Sequence, residues 1–167
     1  MRFIVLGKDG AAAHVPRMPT LAIRIFGSPA SGLDKSKYPQ LSGQYSHVLE
    51  YVFDDIDLKP GETLAAWQRA HGVPTDGLIS FDDAMAEAML TDFGRRYRDV
   101  EAVLVHCYMG HSRSPAVAVA LDRAYGLSSD FDCREFPLLN MHVYSTIVRK
   151  AEEMGLMQAP DRFVQGI

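Results

Sequence analysis

Cysteine is scarce in this chain. Its 167 residues hold two, Cys107 and Cys133. Two thiols do not make the disulfide framework that staples small secreted domains, and a reducing, cytoplasmic setting is the expectation. Long apolar runs are missing as well. Met1–Gly7 is too short for the core of a signal peptide, and nothing approaches the roughly 20 apolar residues of a membrane span. Basic tracts are absent too: 17 Lys and Arg face 21 Asp and Glu, for a net charge of -4 and a pI near 5.8. That balance argues against nucleic-acid partners, and no membrane partner is expected. Neither internal repeats nor low-complexity segments occur. His106, Cys107, His111, Cys133 and His142 lack the paired spacing of a zinc site, so no metal and no cofactor are expected. What is present is ordinary for one globular domain: 47% hydrophobic and 23% charged residues in a length sufficient for a core.

The informative stretch is Val103–Ala118, VLVHCYMGHSRSPAVA. An apolar run, Ala102 to Val105, leads into His106 and Cys107. Tyr108, Met109, Gly110, His111 and Ser112 follow, then Arg113, Ser114 and Pro115, and an Ala- and Val-rich stretch ends near Gly126. A β-branched run, a tight polar loop and a proline in a first helical turn predict a strand–loop–helix unit. Such a loop points backbone N–H groups and the positive end of the helix dipole at one spot, which suits an anion. A cysteine opening the loop meets a field that favours its thiolate. Arg113 closes the loop with a planar donor fork that matches two phosphate oxygens. Nucleophile, anion cradle and charge clamp in one loop suit phosphoryl transfer through a cysteinyl phosphate.

Cys-x5-Arg alone arises by chance in roughly one shuffled chain of this composition in seven. The weight therefore rests on His106 before the cysteine, Gly110 after it and Ser114 after the arginine. His106–Ser114 resembles the signature loop of the cysteine-dependent protein tyrosine phosphatases, most closely the HCxxGxxRS form of the dual-specificity branch, including small bacterial and phage-type members. A weaker likeness runs from about Ser46 to Gly155. The resemblance implies an α/β, three-layer phosphatase-like fold with a central, mostly parallel sheet flanked by helices. It implies Cys107 as nucleophile and Arg113 as phosphate clamp. Ser114 would assist the thiolate as leaving group, residues Tyr108 to Arg113 would cradle the substrate phosphate, and His106 would orient the loop. The expected substrate is a phosphorylated protein, with phosphotyrosine first and phosphoserine or phosphothreonine as further possibilities.

The rest of the chain reads as support. Arg2–Leu6 and Thr20–Phe26 read as strands, with Gly10–Pro19 a loop between them and Gly27–Gly43 a longer exposed connection. In the latter, Ser31, Lys35 and Ser36 read as solvated loop. His47–Asp55 alternates, placing Leu49, Tyr51 and Phe53 on one face and carboxylates at the sheet's edge. A departing alkoxide or phenoxide needs a proton, so one carboxylic acid must reach the loop. Laid on the family pattern, Asp55 is that acid, with Asp57, Asp54 and Asp76 as alternatives. The spacing to Cys107 is longer than the family's, so residues 58–73 read as an insertion. If they are not one, Asp76 becomes the better candidate. Trp67, within that segment, reads as a packing residue. Leu78 to about Arg98 carries apolar residues at helical spacing, entered through Thr75 or Ser80. Arg95, Arg96 and Arg98 complement that helix's C-terminal dipole. Asn140 caps a last helix, Asn140–Met154, closed by Gly155. By resemblance, Pro137 and Asn140 form the element that supports the signature loop. Cys133 reads as an unreactive thiol, with a resolving role as the alternative. The domain spans 1–167, with a core of about 1–155 and a tail from 156.

Other readings of the same chemistry are a sulfur-transfer or arsenate-reducing enzyme, a phosphate-binding pseudophosphatase, and a phosphatase of phosphoinositides or RNA 5′-phosphates. The first group uses other loop spacings. The intact Cys107, Arg113, Ser114 set speaks against the second. Against the third, the variable positions Tyr108, Met109, His111 and Ser112 supply no Lys or Arg for a polyanion.

Overall fold

The computed structural model describes residues 1–74, 76–127 and 135–157. Thr75, Cys133 and most of the tail lie outside the described residues, and with them the suggested cap at Thr75 and the reading of Cys133.

Four parallel strands build the sheet: β1 (Arg2–Leu6), β2 (Thr20–Phe26), β3 (His47–Val52) and β4 (Ala102–His106), in the order β1-β4-β2-β3. β4 is flanked on both sides, and every one of its residues is buried, as its unbroken apolar run from Ala102 to Val105 predicts. The helices are α1 (Lys8–Ala13), α2 (Leu64–His71), α3 (Asp83–Gly94), α4 (Arg113–Tyr125) and α5 (Met141–Glu153). Side chains alternate across the strands. Leu21, Ile23, Ile25, Val103 and Val105 therefore face the larger core under α3, α4 and α5, whereas Ala22 and Leu104 face Ala11 of α1. The architecture is three-layered α/β, as expected. Each fully buried Val, Leu, Ile or Phe in that larger core contributes about 1.5–3 kcal/mol.

α4 is buried along most of its length, from Arg113 through Leu121 and again at Ala124. Its alanines allow close approach to the sheet, and its N-terminus lies at the C-terminal end of β4. The sheet therefore directs both the end of β4 and the positive end of the helix at one place.

Three local expectations need correction. The stretch read as a loop from Gly10 begins inside α1, a short helix anchored where Ala11 N–H donates to the Gly7 carbonyl at 2.9 Å. Gly10 in its middle masks the helical pattern. The apolar helix expected from Leu78 to Arg98 is confined to α3. It starts at Asp82, whose side chain accepts from Met85 N–H, and ends at Gly94, with a separate 3-10 turn at Tyr97–Asp99. Asp82 provides the N-terminal acceptor that Ser80 was expected to give. The connection after β2 is not simply exposed: Ser28 and Tyr38 are buried in it, and 3-10 turns at Pro29–Ser31 and Lys35–Lys37 shape it.

Candidate active site

The β4–α4 loop is seated by sterics before any chemistry. Gly110 has φ +83°, and a Cβ there would stand 2.5 Å from Gly7 N and 2.6 Å from the Leu6 carbonyl carbon. A Cβ on Gly7 would meet the Met109 carbonyl oxygen at 2.9 Å. Two glycines thus let the loop lie directly on the β1–α1 junction. Lys8 N–H fastens it there by donating to the Tyr108 carbonyl at 3.0 Å.

Within the loop, Cys107 is 2% exposed. Its Sγ accepts from Gly110 N–H at 3.2 Å and lies 3.2 Å from Ser114 Oγ. Arg113 is buried, and its Nη1 donates to the Phe53 carbonyl at 2.7 Å, which fixes the guanidinium across the end of β3. Its Nε is buried with no partner among the described residues, a donor that a phosphoryl oxygen would satisfy. Tyr108 and Ser112 are half-buried, while Met109 and His111 are exposed at the rim. His106 is buried behind the loop, and its Nε2 accepts from Arg24 Nε at 3.2 Å. Burial first, and the Arg24 guanidinium second, push its pKa down to about 4.

The carboxylates after β3 divide by register. Asp54 points inward and is buried, and its two oxygens accept from Ser28 N–H at 2.9 Å and Ile79 N–H at 2.8 Å. Burial alone would raise its pKa, but hydrogen bonds from Ile79 and Ser28 hold the carboxyl below the usual range. Asp54 therefore knits loops together. Asp55 is exposed. Its Oδ1 accepts from Ser112 Oγ at 2.7 Å and from Asn140 Nδ2 at 2.9 Å. Asp57 accepts from His142 N–H at 2.8 Å, in the first turn of α5. Asp76 is exposed, and no described hydrogen bond joins it to the β4–α4 loop.

Asn140 ties three parts together. Its Oδ1 accepts from Val143 N–H at 2.9 Å and caps α5, its Nδ2 reaches Asp55, and its N–H donates to the Ser112 carbonyl at 3.2 Å. The structure thus brings Cys107, Arg113, Ser114, Ser112, Asp55 and Asn140 to one end of the sheet. Sequence reasoning missed Arg24, Glu50 and Tyr38, which line the loop's far side. The one available signal was an arginine inside the apolar strand TLAIRIF, since a buried charge must be partnered.

Parallel sheet, flanking helices and a β4–α4 loop opening on a buried thiol define an α/β phosphatase-like fold. Human DUSP28 shares it at a TM-score of 0.54 and 17% identity, over 92% of this chain and 93% of that one. A variant of human DUSP28 matches at 0.54 and 18%, over 92% and 91%, and Tk-PTP in its active form at 0.44 and 14%, over 88% and 90%. No protein-family model matches the sequence, and no curated protein matches it. Among the described residues no helix is long and apolar enough to cross a membrane.

Proposed function

We propose that this chain is a phosphatase that hydrolyses phosphomonoesters on proteins, phosphotyrosine foremost, through a cysteinyl-phosphate intermediate. One observation carries the reading: Cys107 Sγ accepts from Gly110 N–H and lies 3.2 Å from Ser114 Oγ, while Arg113, fixed by Phe53, keeps a buried Nε–H without an acceptor among the described residues. In the first step the Cys107 thiolate forms the S–P bond as the P–O bond to the leaving group breaks. Arg113 and the loop N–H groups hold the non-bridging oxygens. Asp55, as the acid, gives its proton to the departing oxygen. In the second step water gives a proton to the Asp55 carboxylate, and the water oxygen forms a new P–O bond as the P–S bond breaks. This releases inorganic phosphate and returns the thiolate, hydrogen-bonded by Ser114 Oγ. Ser112 and Asn140 hold Asp55 beside the loop throughout.

The variable loop positions Tyr108, Met109, His111 and Ser112 supply no Lys or Arg, which favours a single phosphate over a polyanion. Neither nucleic acid nor a membrane surface enters this reading, and a reducing compartment, the cytoplasm, suits the thiol. Hydrolysis of para-nitrophenyl phosphate, abolished by Cys107→Ser, is the expected result, with acid-quenched protein carrying phosphorus on sulfur. Turnover that survives Cys107→Ser refutes the mechanism. Phosphate binding without turnover reduces the protein to a phosphate-binding module. Phosphopeptide panels then separate tyrosine from serine and threonine phosphatase activity.

A further inference from the structure

The sheet face opposite the larger core carries a polar network that the phosphatase chemistry does not use. Arg24 lies in the middle of the sheet in register with His106 of β4 and Glu50 of β3, so all three side chains project from one face. Arg24 is 5% exposed, and each of its nitrogens is engaged. Nε donates to His106 Nε2 at 3.2 Å, Nη1 to Glu50 Oε1 at 3.2 Å, and Nη2 to the Pro39 carbonyl at 3.0 Å. Glu50 is exposed and also pairs with Lys35 at the surface.

We propose that Arg24 is a positioning residue for the Cys107 loop: its fixed guanidinium holds His106 as the neutral Nδ1–H tautomer, so that the imidazole's remaining donor is directed at the loop's first peptide. Arginine has no acceptor and keeps its charge at every working pH. The nitrogen it donates to must therefore carry a lone pair, and the imidazole proton must sit on Nδ1. Nδ1 is buried with no hydrogen-bond partner among the described residues, and the Cys107 backbone is the peptide that bears on the ring. Protonating the ring would set an N–H against the Arg24 N–H and place two cations together, with only the shared Glu50 to offset them.

The charged and titratable groups around the imidazole come from several elements. Arg24 comes from β2, Glu50 from β3, Tyr38 from the connection with its ring centroid 6.0 Å away, and Cys107 from the loop itself. On the α1 side, Lys8 is engaged by Asp9 and lies over the Tyr108 ring. Arg24 is the one cation in contact with the imidazole among these, so it governs the tautomer. The consequence is a loop whose first peptide keeps one hydrogen-bond state while Cys107 and Asp55 change theirs.

The role in catalysis rests on Cys107 being the nucleophile, whereas the tautomer itself does not. Nitrogen-15 NMR of the intact protein tests it in the resting state. Wild-type His106 is expected to remain neutral, protonated on Nδ1, down to about pH 5. Arg24→Met is expected to raise its midpoint by about one pH unit. It also adds a second inflection, between about pH 4 and 6.5, to the rate at which iodoacetamide alkylates Cys107. Arg24→Lys, which retains a cationic donor, restores the low midpoint. Glu50→Gln, at an exposed site, shifts the midpoint the other way, downward, and serves if Arg24→Met does not fold. A wild-type His106 that titrates near 6.5, carries its proton on Nε2, or ignores both substitutions overturns the proposal. Absence of phosphatase turnover alongside the expected NMR result would instead overturn the function and leave the tautomer lock standing.

Discussion

The loops after β3 and β4 meet at the same end of the sheet and are held there in opposite ways. After β4, Cys107, Gly110, Arg113 and Ser114 are all buried, and the Lys8 N–H of α1 and the Phe53 carbonyl just after β3 grip the turn. After β3, burial alternates: Phe53, Asp54 and Ile56 point in, while Asp55 and Asp57 point out. A group that must stay anionic and in line with phosphorus gains from a cage of fixed dipoles, because dipoles already oriented need no rearrangement during the reaction. A group that must give a proton to one molecule and take it from another needs access to both. In the proposed mechanism the buried loop fixes charge and the exposed one moves protons.

The sharpest way to break that comparison is Asp55→Asn. The amide keeps the shape and loses the proton, so kcat is expected to fall about 100-fold. Steady-state rates on substrates with good and poor leaving groups check this, and the loss should be smaller for para-nitrophenol, which departs with little help. An equal loss on both would move the acid elsewhere along the chain.

Its neighbour should behave differently. Asp54→Asn replaces an acceptor for two backbone N–H groups with an amide that offers one acceptor oxygen, so unfolding titrations should show about 2 kcal/mol of lost stability. The folded carboxyl is depressed below 3.8. The stability it contributes is therefore complete above that pH and is lost as pH falls through the lower folded value. The acid side of the wild-type stability curve should carry this loss, and Asp54→Asn should flatten it. Leaving-group dependence, by contrast, should stay as in wild type.

The smallest effect is expected where the two loops are joined. Asn140→Ala removes the α5 cap and one donor to Asp55, which costs about 1 kcal/mol of stability. A several-fold fall in kcat should accompany it, with KM little changed. A stability loss with kcat unchanged would show that Asn140 serves the helix alone.

Much of this arrangement is legible locally. The bounds of β1 and β2 follow from apolar runs, and the strand–loop–helix unit follows from Val103–Ala118, because alternation, turn residues and a proline near a helix start act over a few residues. Asn140 is legible as a cap for the same reason. Asp54 and Asp55 are harder to separate, since both follow the same strand. Register after β3 sends one to Ser28 and Ile79 and the other to Ser112 and Asn140. α1 was hidden because its glycine weakens the pattern, while the contact that stabilises it, Ala11 on Ala22 and Leu104, spans distant residues.

Local chemistry in the chain settled the nature of the loop and the type of strand and helix around it, since spacing within a short segment already fixes which side chains and dipoles converge. Tertiary packing alone decided that Asp55 rather than Asp54 faces the loop, that Arg24 stands against His106, and that Gly7 and Gly110 must both lack a side chain. Each of those outcomes depends on a distance between residues far apart in sequence, and such distances exist only once the sheet order has placed β4 between β1 and β2.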